Sequence, residues 1–196
     1  MSFRKEKKYR LSHSDMTKLK RLLFSKGMRK LYPRRVVTSC YFDTKNLQLF
    51  NDSEEGVLPR KKIRLRWYDN ASDCNKEEKI SSIEGRFKVT RPFNLKKSPK
   101  EHMLFDLYYG ELKAVLKVKY RREYYFLGEI RITIDTHIEY CDIRKSGESI
   151  CKETETVLEV KAPMSCGDNY IEQLIGHSTS RFSKYARGIY LSNMMN

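Results

Sequence analysis

The chain has 196 residues, of which 39% are hydrophobic and 12% aromatic, enough for one packed domain over residues 1–196 and too much apolar surface for global disorder. Its 40 Lys and Arg against 25 Asp and Glu leave a formal charge of +15, which points to an anionic partner: nucleic acid, an acidic membrane surface or a phosphorylated small molecule. The five cysteines show no C-x-x-C spacing and the four histidines are scattered, so a disulfide framework and a zinc site are not expected; nor is a spanning helix, since no run approaches about 18 apolar residues. The opening MSFRKEKKYRL lacks the apolar run of an export signal, and with unpaired thiols it suggests a cytoplasmic protein.

FRKEKKYRL (3–11) reads as a first strand. A helix follows: Ser12 or Ser14 can cap it, Asp15 favours its positive end, Gly27 lies just past it, and Met16, Leu19, Leu22 and Leu23 form one apolar stripe. VVTSCYFD (36–43) and RKKIRLRWY (60–68) are strands joined by a connection containing Gly and Pro. DNASDCNKEEK (69–79) reads as a polar hairpin loop and ISSIEGRFKVT (80–90) as the return strand. Pro92, Asn94 and Pro99 make residues 92–107 a loop with room for a short helix. AVLKVKYRREYYF (114–126) and EIRITIDTHIEY (129–140) flank Gly128 as a hairpin, and TVLEVKA (156–162) is the last clear strand. YIEQLIG (170–176) is a short helix, and SRFSKYARGIYL (180–191) closes the chain. Hairpin connections make the strands antiparallel, so the class is α+β in one domain.

Charge alternates along these strands. Arg60, Lys62, Arg64 and Arg66 stand at every second position, with Ile63, Leu65 and Trp67 between. Glu129, Arg131, Thr133, Asp135 and His137 oppose Ile130, Ile132, Ile134 and Ile138, while Glu159 and Lys161 oppose Leu158 and Val160. Lys117, Lys119 and Arg121 oppose Leu116, Val118 and Tyr120; Glu84, Arg86 and Lys88 follow the same rule less strictly. A sheet with one face in water gives such alternation. So does a sheet of eight strands closed into a barrel with its charged faces inward, around a polyanion and a metal. Periodicity does not choose between them.

Six motifs in order do. E6-x-K8, R64-x-R66, E84-x-R86, R131-x-T133-x-D135, E159-x-K161 and S183-K184-Y185 together resemble the triphosphate tunnel (CYTH-like) superfamily. TSCYFDT (38–44), IRLRWY (63–68), LEVK (158–161) and SKYARG (183–188) are similar to segments of one branch, the vacuolar transporter chaperone (VTC) domain of polyphosphate polymerases. The resemblance implies an eight-stranded antiparallel β-barrel, the triphosphate tunnel, with a few flanking helices. It also implies transfer of the terminal phosphoryl group of ATP to polyphosphate, with Mn²⁺ or Mg²⁺.

Residue by residue, the resemblance assigns Lys8, Arg64, Arg66, Arg131, Lys161 and Lys184 to the reacting phosphates. Arg86, Arg122, Lys62 and Lys88 would bind phosphate further along, with Arg121 in place of Arg122 if alternation decides, and with the choice between Lys88 and Arg91 left open. Glu159 would bind the metal, joined by Glu6 and Glu84 unless these are counter-charges for Lys8 and Arg86. Asp135 reads as structural, Asp43 as a turn or capping residue. The opening R4-x-E6-x-K8 is one carboxylate short of the hydrolytic E-x-E-x-K pattern, which favours the polymerase branch. A triphosphatase or cyclase, and a non-catalytic module for polyphosphate, inositol phosphates or RNA, are the alternatives. ATP and polyphosphate or triphosphate are the expected partners, a membrane-protein partner is left open, and no specific nucleic acid is expected.

Overall fold

The computed structural model describes residues 4–69, 73–95, 97–145 and 149–194. In chain order the elements are β1 (Arg4–Leu11), α1 (His13–Ser25), β2 (Arg29–Asp43), α2 (Gln48–Glu55), β3 (Arg60–Tyr68), β4 (Asp73–Ser82), β5 (Gly85–Asn94), β6 (Met103–Asp106), β7 (Gly110–Leu127), β8 (Ile130–Asp142), β9 (Ile150–Lys152), β10 (Thr156–Pro163), α3 (Asp168–Ile175) and α4 (Lys184–Met194). Hydrogen bonding orders eight of the strands β1-β10-β8-β7-β2-β3-β4-β5, with β6 beside β7 and β9 beside β8. The antiparallel α+β class expected from the hairpins is the one found.

The chain packs into two compact units, each built from three separate segments. The first takes the chain up to Arg35, Tyr120–Ile138 and Lys152–Phe182; the second takes Val36–Lys119, Glu139–Cys151 and the chain from Ser183. Strands β2, β7 and β8 therefore contribute to both.

In the first unit, alternation puts Tyr9, Leu158, Val160, Ile132 and Ile134 on one face. Met16, Leu19 and Leu23 of α1 and Ile171, Leu174 and Ile175 of α3 pack into the same cluster. Burial of this kind is worth roughly 1.5–3 kcal/mol per large apolar side chain. The Ser12 hydroxyl accepts from Asp15 N at 3.1 Å, so Ser12 caps α1. Gly27, at φ +93°, ends it. In the second unit Cys40, Phe42, Ile63, Leu65 and Leu112 form the core with Leu49 of α2 and Leu104 of β6.

Residues 92–107, expected as loop with a short helix, hold that helical turn at Pro99–Glu101 but also the end of β5 and strand β6 at Met103–Asp106. Three further segments differ from expectation. The expected hairpin loop at 69–79 is largely strand, since β4 starts at Asp73 and its turn falls at Ile83–Glu84. Asn75, Glu77 and Lys79 read as loop residues because they are polar, yet in register they lie across from Arg66, Arg64 and Lys62, where polar partners are what the strand needs. Residues 70–72 of that loop lie outside the described residues. Helix α2 was not expected: its N-cap position is Leu47, in the left-handed region at φ 56°, without a side-chain cap. Asp43 caps it from outside the helix, accepting from Leu49 N and Phe50 N at 2.9 Å each and from Thr44 N at 2.7 Å. That capping role is the one expected for Asp43. Finally, β2 begins at Arg29, seven residues before the apolar run signals it, because its first half is exposed rather than core-facing.

Helix α4 enters the second unit at Gly188, where a Cβ would lie 2.5 Å from Leu116 Cδ2 and 2.7 Å from Tyr140 Cδ1. Gly188→Ala is expected to lower stability by about 1–3 kcal/mol from overpacking, despite alanine's better helix propensity. A thermal melt at or above the wild-type midpoint would show that α4 is not seated as tightly as described.

Candidate functional site

Register brings the bases of the second unit onto one face. Across β3, β4 and β5 it aligns Arg66 with Asn75 and Pro92, Arg64 with Glu77 and Thr90, Lys62 with Lys79 and Lys88, and Arg60 with Ser81 and Arg86. The opposite face carries Ile63, Leu65 and Cys74, which are core. Glu77 is the centre of this face. Its side chain is 4% exposed, and it takes Arg64 at 2.5 Å, Lys88 Nζ at 2.7 Å and Arg66 at 3.6 Å. Burial alone would raise its pKa, but Arg64 and Arg66, helped by hydrogen bonds from Lys88 and Arg64, hold it down to about 2. Lys88 therefore belongs with the arginines, while Arg91, paired with Lys76, falls on the other face.

Tyr41 and Ser39 extend this face onto β2, opposite Arg64 and Arg66. Arg64 donates to the Tyr41 hydroxyl at 3.0 Å, and Arg66 to Ser39 Oγ at 3.0 Å. Tyr41 is buried, which would raise its pKa; Arg64, Arg66 and Lys184 outweigh that and bring it to about 8. Its ring stacks on Tyr185 at 4.9 Å, and Tyr185 donates to the Asp43 carboxylate. This places the S183-K184-Y185 motif at the start of α4. Lys62 Nζ donates to Ser183 Oγ at 3.1 Å, and Lys184 is the first residue of the helix, where the dipole favours an anion. Arg60 turns away to the carbonyls of Gly56 and Val57, at 3.2 and 3.1 Å, and so closes α2 rather than joining the row.

The first unit repeats the arrangement. Register aligns Glu6 with Lys161 and Arg131, and Lys8 with Glu159 and Thr133. These lie on the face opposite Tyr9, Leu158 and Ile132. Lys161 Nζ is 3.0 Å from Glu159 and 3.9 Å from Glu6; Lys8 Nζ is 3.3 Å from Glu6 and donates to Phe182 O at 3.1 Å. Burial would raise the Glu159 pKa, but Lys161, Arg122 and Lys8 hold it to about 2. Arg122 donates to both oxygens of Asp135, at 2.6 and 2.7 Å. Asp135 is 1% exposed, so it is the buried anchor of Arg122. Arg121 is exposed. The buried positions of β7 slip from Leu116, Val118 and Tyr120 to Tyr125 and Leu127, which breaks the simple alternation that favoured Arg121.

Three assigned residues stand differently. Glu84 lies fully exposed in the β4–β5 turn, where the sheet fixes no geometry for it as a metal ligand, and Arg86 is exposed on β5, which pairs on one side only. The Glu-x-base pair on the strand beside Arg64 and Arg66 is Glu77-x-Lys79, hidden in the segment taken for a loop. Arg131, too, is exposed, across from Lys161.

Among the described residues no three His, Cys, Asp or Glu side chains gather as a metal cage. Glu159 and Glu6, which share Lys161, still suit Mg²⁺ or Mn²⁺ in the way these ions use one or two carboxylates and complete their shell with water and substrate phosphate. Thr133, in register with Glu159, has a buried hydroxyl with no hydrogen-bond partner among the described residues, a place for a ligand oxygen or a water.

Solved structures share the fold. PH1819 from Pyrococcus horikoshii shares the fold, with a TM-score of 0.59 at 15% identity over 98% of this chain and 99% of that one. An adenylate-cyclase-named protein from Bacillus halodurans matches with a TM-score of 0.60 at 12% identity, covering 91% of this chain and 92% of its own. HpAC1 from Hippeastrum, a protein described as having a dominant triphosphatase activity, matches with a TM-score of 0.58 at 16% identity, covering 94% of each chain. The comparison with curated proteins finds no match. The fold is the one these three structures share. The VTC domain family model matches residues 3–193, and the chain belongs to that family.

Glu77→Gln leaves the buried Arg66 and the half-buried Arg64 without their counter-charge, and is expected to cost about 3–5 kcal/mol in phosphate-free buffer. Added tripolyphosphate should restore more of the melting temperature in this variant than in the wild type. The pH dependence has a fixed sign: the folded pKa is depressed, so the stabilisation is complete above the ordinary carboxylate value and is lost as pH falls toward about 2. About 3 kcal/mol should disappear over that window in the wild type and be missing from the acid limb of the variant's stability curve.

Proposed function

We propose that this VTC domain is a metal-dependent ATP–polyphosphate phosphotransferase. The observation that carries the reading is the fixed base row in each unit, set by strand register around carboxylates, Glu77 in one and Glu159 with Glu6 in the other. Phosphoryl transfer asks a protein mainly for positioning and for charge compensation at the phosphoryl oxygens. Arg64 and Arg66 supply guanidinium forks held still by Glu77 and Ser39. Lys8 and Lys161 supply compact charge beside Glu159, and Arg122 a guanidinium locked by Asp135. Lys62, Lys88 and Lys184 extend the rows, and Arg131 and Arg86 add exposed charge further along. Glu159, with Glu6, would hold the Mn²⁺ or Mg²⁺, which supplies neutralisation of the charge on the transferring phosphate.

A triphosphatase is the second reading, favoured by the likeness to HpAC1. Against it stands the opening strand, where R4-x-E6-x-K8 offers one carboxylate fewer than E-x-E-x-K for a second metal ion. A cytoplasmic location, ATP as donor and a membrane-protein partner for the product belong to the same proposal. No helix among the described residues is long and apolar enough to cross a membrane.

Purified protein incubated with ATP and Mn²⁺ and assayed for long-chain polyphosphate, phosphate and ADP separates the readings. ADP appearing with polymer is the expected result, and Glu159→Gln should reduce that turnover by about 100-fold or more while tripolyphosphate still raises the melting temperature. Phosphate release without polymer would replace the polymerase with a hydrolase. If ATP stays intact and tripolyphosphate leaves the melting temperature unmoved in low salt, the enzyme reading is wrong.

A further inference from the structure

The first unit carries a second concentration of positive charge, away from the Glu159 cluster. No acidic residue stands between Asp15 and Asp43, while Lys26, Arg29, Lys30 and Arg34 in that stretch are all exposed. Lys30, Tyr32 and Arg34 alternate onto one face of the first half of β2. With Pro33 and with Glu123, Tyr124 and Tyr125 of β7 they line an open groove of about 190 Å³. Glu123 is the groove's one carboxylate, and Lys20 Nζ neutralises it at 2.7 Å. Lys30 and Arg34 have no ion-pair partner among the described residues. The groove is therefore positive with nothing in the described chain to balance it.

An exposed aromatic ring distinguishes it from the Glu77 cluster, where Tyr41 and Tyr185 are buried. Tyr32 is 47% exposed, and it meets Tyr124 edge to face, with centroids 5.8 Å apart and planes at 80°. Tyr125 is braced from behind by Phe24 at 5.6 Å. An exposed ring held by its neighbours, with a cation about 6.6 Å away on each side along the strand, is the pattern of a stacked base with flanking phosphates. A bare polyphosphate has no use for the ring. A bilayer would ask for exposed aliphatic side chains, which the groove's lining lacks.

We propose that this groove binds a nucleobase-bearing phosphate, with the base stacked on Tyr32 and phosphate held by Lys30 and Arg34. The occupant is a mononucleotide or a stretch of single-stranded RNA, which share this chemistry. The proposal uses no residue of the phosphotransferase reading and does not depend on it.

The test is fluorescence anisotropy of a short labelled oligouridylate at low salt, with tripolyphosphate as a charge-matched competitor. The wild type should bind. Tyr32→Ala should weaken binding about tenfold, Tyr32→Phe should retain it, and Lys30→Ala with Arg34→Ala should weaken it and flatten its salt dependence. Melting temperatures of these surface variants check that the fold is intact. Displacement by uridine monophosphate would identify a mononucleotide site; displacement by longer oligomers alone would identify a strand. Binding unchanged in Tyr32→Ala, displacement by tripolyphosphate as readily as by oligouridylate, or sedimentation with anionic vesicles in place of oligouridylate binding would each overturn the proposal.

Discussion

Four bases at alternate positions of one strand repel one another by about 2–3 kcal/mol per neighbouring pair at an effective dielectric near 20. The structure answers such repulsion with carboxylates: Glu77 from the neighbouring strand in the second unit, and Glu159, Glu6 and Asp135 in the first. Glu77 reaches Arg64, Arg66 and Lys88 from β4, and Glu159 reaches Lys161 within β10 and lies across from Lys8 of β1. Antiparallel register is what makes this work. A one-residue slip of β4 would send Glu77 to the core face and put Lys76 or Glu78 among the arginines. Charge balance and strand pairing thus enforce the same alignment.

The rest of the architecture supports those faces from behind. Helices α1 and α3 cover the apolar side of β1, β10 and β8, while α2 and β6 cover that of β3. The second unit's end of the row is tied in by a chain of polar contacts: Asp43 caps α2, Tyr185 donates to Asp43, and Tyr185 stacks on Tyr41, whose hydroxyl accepts from Arg64. One aspartate therefore links a helix start, the closing motif of the sequence and the orientation of an arginine. The depressed pKa of Tyr41 follows from the same crowding of cations.

Much of this was legible in the sequence because period-2 alternation is local. The strands holding Lys8, Arg64, Arg66, Glu159 and Lys161 needed no knowledge of their neighbours. What was missed depended on partners. Glu77 sits in a stretch whose Asp, Asn and Lys suggest a loop, and only the arginines opposite make those residues good strand material. Two Glu-x-base pairs were available, at Glu77 and Glu84, and nothing short of register could show that the second falls at a turn. Arg122 was chosen over Arg121 on the resemblance alone, against alternation, and Asp135 beside it supplies the physical reason. Helix α2 escaped because the residue that caps it lies outside it, across a turn in the chain.

The three long strands that serve both units set a limit on how the molecule can come apart. Each unit is assembled from three segments, and of the five crossings three fall inside β2, β7 and β8, one inside β9 and one just before α4. No single cleavage or truncation yields one unit with a complete set of strands. Slow amide exchange should accordingly persist along β2, β7 and β8 without a break at residues 35–36, 119–120 and 138–139, where the chain passes from one unit's segment to the other's.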